Sequence, residues 1–166
     1  RGFIKLQHAT SGGSQRIVRL LRAGDVVGIE ALQEKRYRHT AATLGDARVC
    51  RIPVVVVHQM EALRPELHAS MTVRWNASLA QADTVILRLL SGEASARVAR
   101  LLCFLVDFAG SSLPPRLTRQ DTAAILDLSP ETVSRVCSAF ILRGVLRETG
   151  STFQVDRPAL EHVAAD

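Results

Sequence analysis

The sequence predicts an α+β fold in three successive parts: an antiparallel β-roll, a long helix, and a C-terminal helix-turn-helix with a hairpin wing. Three observations predict it. Short apolar stretches broken by Gly, Ser and Asp turns fill residues 1–62. After Pro65 the chain runs to Leu90 without Pro or Gly. Two capped helices separated by a two-residue turn stand between 118 and 143, and a hairpin follows. The expected domains are a roll at 1–62, a helix at 63–91, and a winged helix-turn-helix at 92–166.

In the first part, a strand over 3–7 leads to the turn Ser11, Gly12, Gly13 and Ser14, and a second strand over 15–21. Ala23, Gly24 and Asp25 turn the chain into a short strand, Val26, Val27 and Gly28. A loop through Lys35 precedes a strand over 38–44, the turn Gly45-Asp46, and a strand over 48–52 stopped by Pro53. Many short strands at regular spacing imply an antiparallel jelly roll or barrel. The chain opens on Arg1 inside a strand-like run, so further sequence is expected upstream.

Pro65 suits the first turn of a helix reaching Leu90. Along it Met71, Trp75, Leu79 (or Ser78), Ala82, Ile86 (or Val85) and Leu89 recur close to every seventh residue. That is the repeat that pairs two helices lengthwise, here as a homodimer seam; packing on the chain's own domain is the other reading. Ser91-Gly92 breaks the helix. The next spans 93–109, with Val98, Leu101, Leu102, Leu105 and Val106 inward, and ends at Gly110 before a loop over 111–115.

Thr118 and Asp121 form a capping box: the threonine bonds the Asp121 amide and the carboxylate reaches back. The helix they open ends at Leu126. Asp127-Leu128 makes the turn, and Ser129, Pro130 and Glu131 supply the cap, first-turn proline and early acid of a recognition helix over 130–143, ended by Gly144. Val133, Val136, Cys137, Phe140 and Ile141 form its apolar stripe. Glu131, Ser134, Arg135 and Ser138 fall on the opposite side. Short polar groups with one acid and one Arg are what reading base edges requires, although an ordinary solvated face has the same polarity. Residues 145–148 and 152–155 flank Thr149, Gly150 and Ser151 as a hairpin wing, where Arg147, Ser151 and Thr152 can meet phosphates. A closing helix is expected over 156–165.

Composition narrows the classes. Apolar residues make up 47% of the 166, enough for a real core, and no apolar run approaches a membrane span. Three distant cysteines fit reduced thiols and a cytoplasmic protein rather than a disulfide framework. The net charge of +5 invites a nucleic-acid partner, yet its distribution does not single out the helix-turn-helix. Residues 1–91 hold 13 Lys/Arg against 7 Asp/Glu, a surplus of +6; residues 92–166 hold 8 against 9, a balance of −1. No nucleophile–base pairing, phosphate loop or carboxylate dyad supports an enzyme. His8, His39, His58, His68 and His162 show no paired ligand spacing.

The run Leu117, Thr118, Arg119, Gln120 and Asp121, then Ile125-Leu126, then Leu128 through Arg135, resembles the helix-turn-helix of the CRP/FNR superfamily of bacterial transcription regulators. The resemblance extends over essentially the whole chain. The strands resemble the later part of a cyclic-nucleotide-binding-type β-roll, and 65–90 the family's dimerisation helix. It implies a homodimer on double-stranded DNA, with RNA polymerase as a further partner if the protein activates. It also implies base reading by Glu131, Ser134 and Arg135, and phosphate contacts from Thr118, Arg119, Gln120, Ser129 and Thr132. The Glu-x-x-Ser-Arg spacing resembles the FNR branch, which implies a palindrome with TTGAT-like halves. Asp127 departs from the family's usual turn glycine, although Asp tolerates a left-handed conformation better than most residues.

The signal is less legible. The family's nucleotide cassette places an acid after a Gly, and an Arg before Ser or Thr. Here Ile29 follows Gly28, Glu30 comes one residue late, and His39-Thr40 stands in place of the Arg pair. A neutral His replaces a charged fork poorly, which argues against cyclic AMP. Gly28, Glu30, His39 and Thr40 remain the candidate effector pocket. Cys50, before Ile52-Pro53, resembles the internal cluster-ligating cysteine of FNR-type regulators. An iron–sulfur cluster takes about four thiolates, so the others would have to lie upstream of Arg1; the alternative for Cys50 is a small buried hydrophobe. From a different class comes a second function: a regulatory module whose degenerate helix-turn-helix docks a protein instead of DNA.

Overall fold

The computed structural model describes residues 1–9, 15–64, 66–110 and 114–165. The predicted turn at 11–14, the first-turn residue Pro65 and most of the loop at 111–115 lie outside them.

Three strands, β1 (Phe3–Ala9), β2 (Gln15–Leu21) and β3 (Thr40–Leu44), form an antiparallel sheet in the order β2-β1-β3. Phe3 faces Leu44 and Lys5 faces Ala42 on one side; Lys5 pairs with Leu20 on the other, with a register shift between Leu6 and Gln7. Two predicted strands are absent. Val26 and Val27 are exposed and pair with nothing, because Gly28 turns left-handed (φ 73°) and opens a 3-10 turn over Ile29–Leu32. At 48–52 a reciprocal pair of backbone bonds joins Arg48 to Arg1, at 2.8 and 3.1 Å, and no ladder continues. Val49 and Ile52 beyond it are exposed. Among the described residues the first part is a three-stranded antiparallel sheet, consistent with the later part of a β-roll.

Helix α1 (Val54–Leu63) buries none of its residues, and neither does α2 (Glu66–Thr84). A π-turn over Val85–Leu89 extends α2. Its i→i+5 bonding advances each residue by less than an α-turn does, so the last positions rotate off the stripe above them. This corrects the predicted seam. Leu89 is only 2% exposed and lies in the chain's own core, while Trp75, Leu79 and Ile86 are 43%, 63% and 62% exposed. Met71 and Ala82 are half-buried between the two sets. No helix among the described residues is long and apolar enough to cross a membrane.

At the junction after Leu89, Gly92 (φ 82°) makes the break, and Arg100 satisfies the carbonyls left by the helix end. Its guanidinium donates to Arg88 O (2.7 Å), Ser91 O (2.6 Å) and Ala96 O (3.1 Å). Helix α3 (Ala94–Ala109) is the centre of the core, with Ala96, Val98, Ala99, Leu101, Leu105 and Phe108 buried along one face. On it pack α4 (Arg119–Leu126), α5 (Pro130–Leu142), the hairpin β4 (Leu146–Thr149)/β5 (Thr152–Val155), and α6 (Arg157–Ala165). Ile17 and Leu20 of the sheet belong to the same apolar cluster as Leu101, Leu105, Leu126 and Val133. Phe3 lies 5.9 Å from Phe108, ring to ring. Sheet and helix-turn-helix thus share one core.

Leu126 is fully buried where α3, α4 and the sheet meet. Leu126→Ala is expected to lower unfolding stability by about 3 kcal/mol in urea titration, through lost transfer energy and the cavity left behind; a loss below about 1 kcal/mol would contradict that placement.

Candidate nucleic-acid interface

The first helix of the pair starts as its sequence requires. Thr118 takes an extended conformation (φ −66°, ψ 162°), and its Oγ1 accepts from Asp121 N at 3.0 Å. The other half of the expected capping box does not form. The Asp121 carboxylate instead accepts from Lys5 Nζ of β1 at 2.5 Å, because the sheet packs against this turn and offers a cation. At the far end Asp127 is left-handed (φ 56°, ψ 48°), as expected of a residue in a glycine position, and its side chain lies 2.8 Å from Arg16 Nη2. Leu128 N donates to Ala123 O at 3.2 Å and closes the turn.

Ser129 caps α5 by accepting from Thr132 N at 3.1 Å, and its hydroxyl lies 3.0 Å from that of Thr132. Arg135 Nη2 donates to Thr132 Oγ1 at 3.4 Å, which leans the guanidinium toward the start of the helix. Val133, Cys137 and Phe140 are buried and Val136 is half-buried. Ile141 is a correction: it is exposed while its neighbour Phe140 is buried, so the buried stripe ends at Phe140 and Ile141 falls at its edge. Glu131, Ser134, Arg135 and Ser138 are all exposed and share the face opposite the core. Thr118, Gln120 and Ser129 are exposed as well, and Thr132 is partly so. The sequence-predicted base-reading residues therefore share one exposed face of α5, and the hydroxyls at the two helix starts are open to solvent or nearly so.

Two predicted phosphate contacts are tied up. Arg119 is half-buried and donates through Nη1 to Glu148 Oε1 of β4 at 2.7 Å, with Arg116 3.7 Å from the other carboxylate oxygen. The Thr152 hydroxyl donates to Pro114 O at 2.8 Å. Ser151 stays exposed at the hairpin tip, anchored by Arg116 N bonding its carbonyl at 2.8 Å, and Arg147 is exposed beside it. The sequence reading missed Glu148, Lys5 and Arg16. Their unpaired charges were visible, but not which distant residues would meet them.

In the candidate effector region, Gly28 is held close to Tyr37. A Cβ there would come within 2.7 Å of the exposed Tyr37 ring, which could turn aside, so it is the positive φ that favours glycine. Glu30 accepts from Arg38 N at 3.4 Å, and His39 stands edge-on to His8 with ring centres 6.4 Å apart. Burial, reinforced by Arg19, His8 and Arg38 and opposed by Glu30, holds His39 below the usual histidine range. It is a neutral donor or acceptor near pH 7. Thr40, at the start of β3, is exposed.

Cys50 is exposed, so it is not a small buried hydrophobe. Cys103 is half-buried and Cys137 buried, and burial raises both thiols. Among the described residues no group of three or more His, Cys, Asp or Glu could hold a metal ion. The donor set present does not fit an iron–sulfur cluster.

Residues 96–163 match the family model of a Crp-like helix-turn-helix domain, and residues 1–62 that of a cyclic nucleotide-binding domain, so the two matches together span most of the chain. Electron transport regulator A of Shewanella oneidensis is 25% identical over 155 residues, covering 90% of this chain and 62% of that protein. The fumarate and nitrate reduction regulatory protein of Salmonella typhi is 28% identical over 161 residues, covering 93% and 64%. The chain thus spans somewhat under two thirds of the length of these relatives. A CRP-family transcriptional regulator from Thermus thermophilus has the same fold, with a TM-score of 0.84 at 24% identity over all of this chain and 85% of that one.

Two outcomes test this geometry. Ser129→Ala removes a cap and should cost about 1 kcal/mol in urea unfolding. At pH 8 a thiol reagent should modify Cys50 at once, Cys103 slowly, and Cys137 only on unfolding, because a raised thiol pKa leaves little thiolate below it. Equal rates at all three would contradict the assigned burial.

Proposed function

The chain belongs to the CRP/FNR superfamily, and we propose on that footing that it is a sequence-specific DNA-binding transcription regulator acting as a homodimer. The single observation that carries this reading is the exposed face of Glu131, Ser134, Arg135 and Ser138 on a capped helix whose other face is buried. Arg135 is suited to a guanine edge and Glu131 to a cytosine amino group, with Ser134 beside them. Exposed hydroxyls at the two helix starts, Thr118 and Ser129 with Thr132, suit phosphates, which helix N-termini also attract. The spacing of the reading residues favours a palindrome with TTGAT-like halves.

The dimer is supported by α2. A 19-residue helix with none of its residues buried, carrying exposed Trp75 and Leu79, with Ile86 also exposed in the π-turn beyond it, needs a second apolar surface. A second copy of the same stripe supplies one. Two recognition helices would then enter successive major grooves about 34 Å apart. The effector is proposed to act through the region of Gly28, Glu30 and His39. A neutral, half-buried His39 is a poor seat for a cyclic phosphate.

Gel shifts on a TTGAT palindrome and its single-base variants test the reading. Arg135→Ala should abolish discrimination at one guanine, worth about tenfold to a hundredfold. Thr118→Ala should weaken binding to every duplex alike. All binding should weaken steeply with added salt. Equal patterns from the two substitutions, or salt-independent binding, would overturn it.

A further inference from the structure

We propose that Lys5 and Arg16 are positioning residues for DNA binding: two cations of the β-sheet that clamp the first helix of the helix-turn-helix at both its ends and so set the angle of the recognition helix. This rests on the reading that α5 enters duplex DNA. Lys5 Nζ meets Asp121 Oδ1 at 2.5 Å, and both side chains are at most 15% exposed. Asp121 stands in the first turn of α4. Arg16 Nη2 meets Asp127 Oδ1 at 2.8 Å, and Asp127 is the residue that ends α4. Two points fixed at opposite ends of a helix define its axis; one would leave it free to pivot.

The apolar contacts across the same boundary cannot do this alone. Ile17 and Leu20 share one apolar cluster with Ile125 and Leu126 of α4, but burial is non-directional and constrains a helix axis less than a fixed polar contact does. The Lys5–Asp121 contact is a charge-assisted hydrogen bond, short and directional, and the Arg16–Asp127 ion pair adds a second fixed point. The charge pattern agrees: residues 1–91 carry a surplus of +6 and residues 92–166 a balance of −1, and two of the former's cations meet two of the latter's acids here.

The recognition helix inherits this orientation. It is joined to α4 by the short turn at Asp127 and by Val133 and Leu126, both fully buried. The clamp covers none of the reading residues, since Glu131, Ser134, Arg135 and Ser138 remain exposed with both ion pairs made. It orients the reading face and does not mask it. In a two-fold dimer that orientation fixes which half-site spacing both helices can meet together.

Spacing preference is therefore the readout. The full chain is titrated on the palindrome at its best-bound spacing, and on duplexes with one base pair added or removed at the centre, a shift of about 3.4 Å and a tenth of a turn. Lys5→Gln should lower affinity about tenfold at the best spacing and by no more than about twofold on the altered duplexes, so the preference collapses. Lys5→Arg should retain it. Arg16→Gln, at a pair open to solvent and to salt, should act in the same sense by about threefold and leaves the core untouched. Lys5→Gln with Asp121→Asn should be no worse than either alone. Equal loss on all duplexes, raised affinity, or additive loss in the double variant would overturn the clamp. If the unaltered chain binds no duplex, the DNA reading itself fails. Amide exchange then decides the clamp: faster exchange in α4 of Lys5→Gln supports it, and unchanged exchange overturns it.

Discussion

The geometry of the helix pair depends on one backbone corner. Asp127 turns left-handed between α4 and α5, the one non-glycine residue with positive φ among the described residues. For an L-residue this conformation costs on the order of 1 kcal/mol. Without it the chain would continue the helix or leave in an extended direction, and Val133 could not reach Leu126. The Asp127 carboxylate does something glycine could not: it provides the attachment for Arg16 of the sheet. A residue tolerated at the corner for its backbone is also fastened there by its side chain.

Around that corner the cations divide into those engaged within the protein and those open to an outside partner. Arg119 and Arg116 converge on Glu148, which ties the start of α4 to the wing. Lys5, Arg16, Arg22 and Arg100 each meet an acid or a carbonyl inside the fold; Arg22 donates to Phe108 O at 2.8 Å with its guanidinium over the Phe108 ring. Arg135 and Arg147 are exposed on the proposed DNA side. This is why bulk charge is a poor guide: Lys5, Arg16 and Arg22 of the basic first part are engaged in holding it to the second. On the proposed DNA reading, phosphate gripping would fall mainly to hydroxyls and backbone amides at the helix starts, where Thr118 and Ser129 are engaged as caps.

Local signals were the most legible in the sequence. The caps at Thr118 and Ser129, the first-turn Pro130, the breaks at Gly92, Gly110 and Gly144, and the hairpin around Gly150 all depend on neighbours within a few residues. The reading face at Glu131, Ser134 and Arg135 follows from helical periodicity alone. What was not legible depends on distant partners. A stretch such as 48–52 has strand composition, but a strand needs a neighbouring ladder, and beyond Arg48 none is present among the described residues. Leu89 fits the heptad, yet the π-turn, which a periodicity argument assumes away, rotates it into the core. Asp121 had a good local role, and a lysine 116 residues away displaced it.

The two halves are joined in two separated places. One is covalent, at 90–93, where Arg100 bonds carbonyls on both sides of the break and keeps the end of the long helix from fraying. The other is the contact of the sheet with α4 and with the end of α3, where Phe3 and Arg22 meet Phe108. A body held at one point can swing; held at two, it moves only if one attachment yields. Arg100 makes three backbone bonds within a short stretch of chain, whereas the sheet contact joins residues more than a hundred positions apart, and one of its ion pairs is open to solvent. The Arg100 bonds lie along the covalent connection and can survive a hinge motion there, whereas any parting of the halves breaks the sheet contact. Any change that separates the halves must therefore begin at the sheet, where a signal sensed in the roll would first be felt, and it reaches α5 through the corner at Asp127.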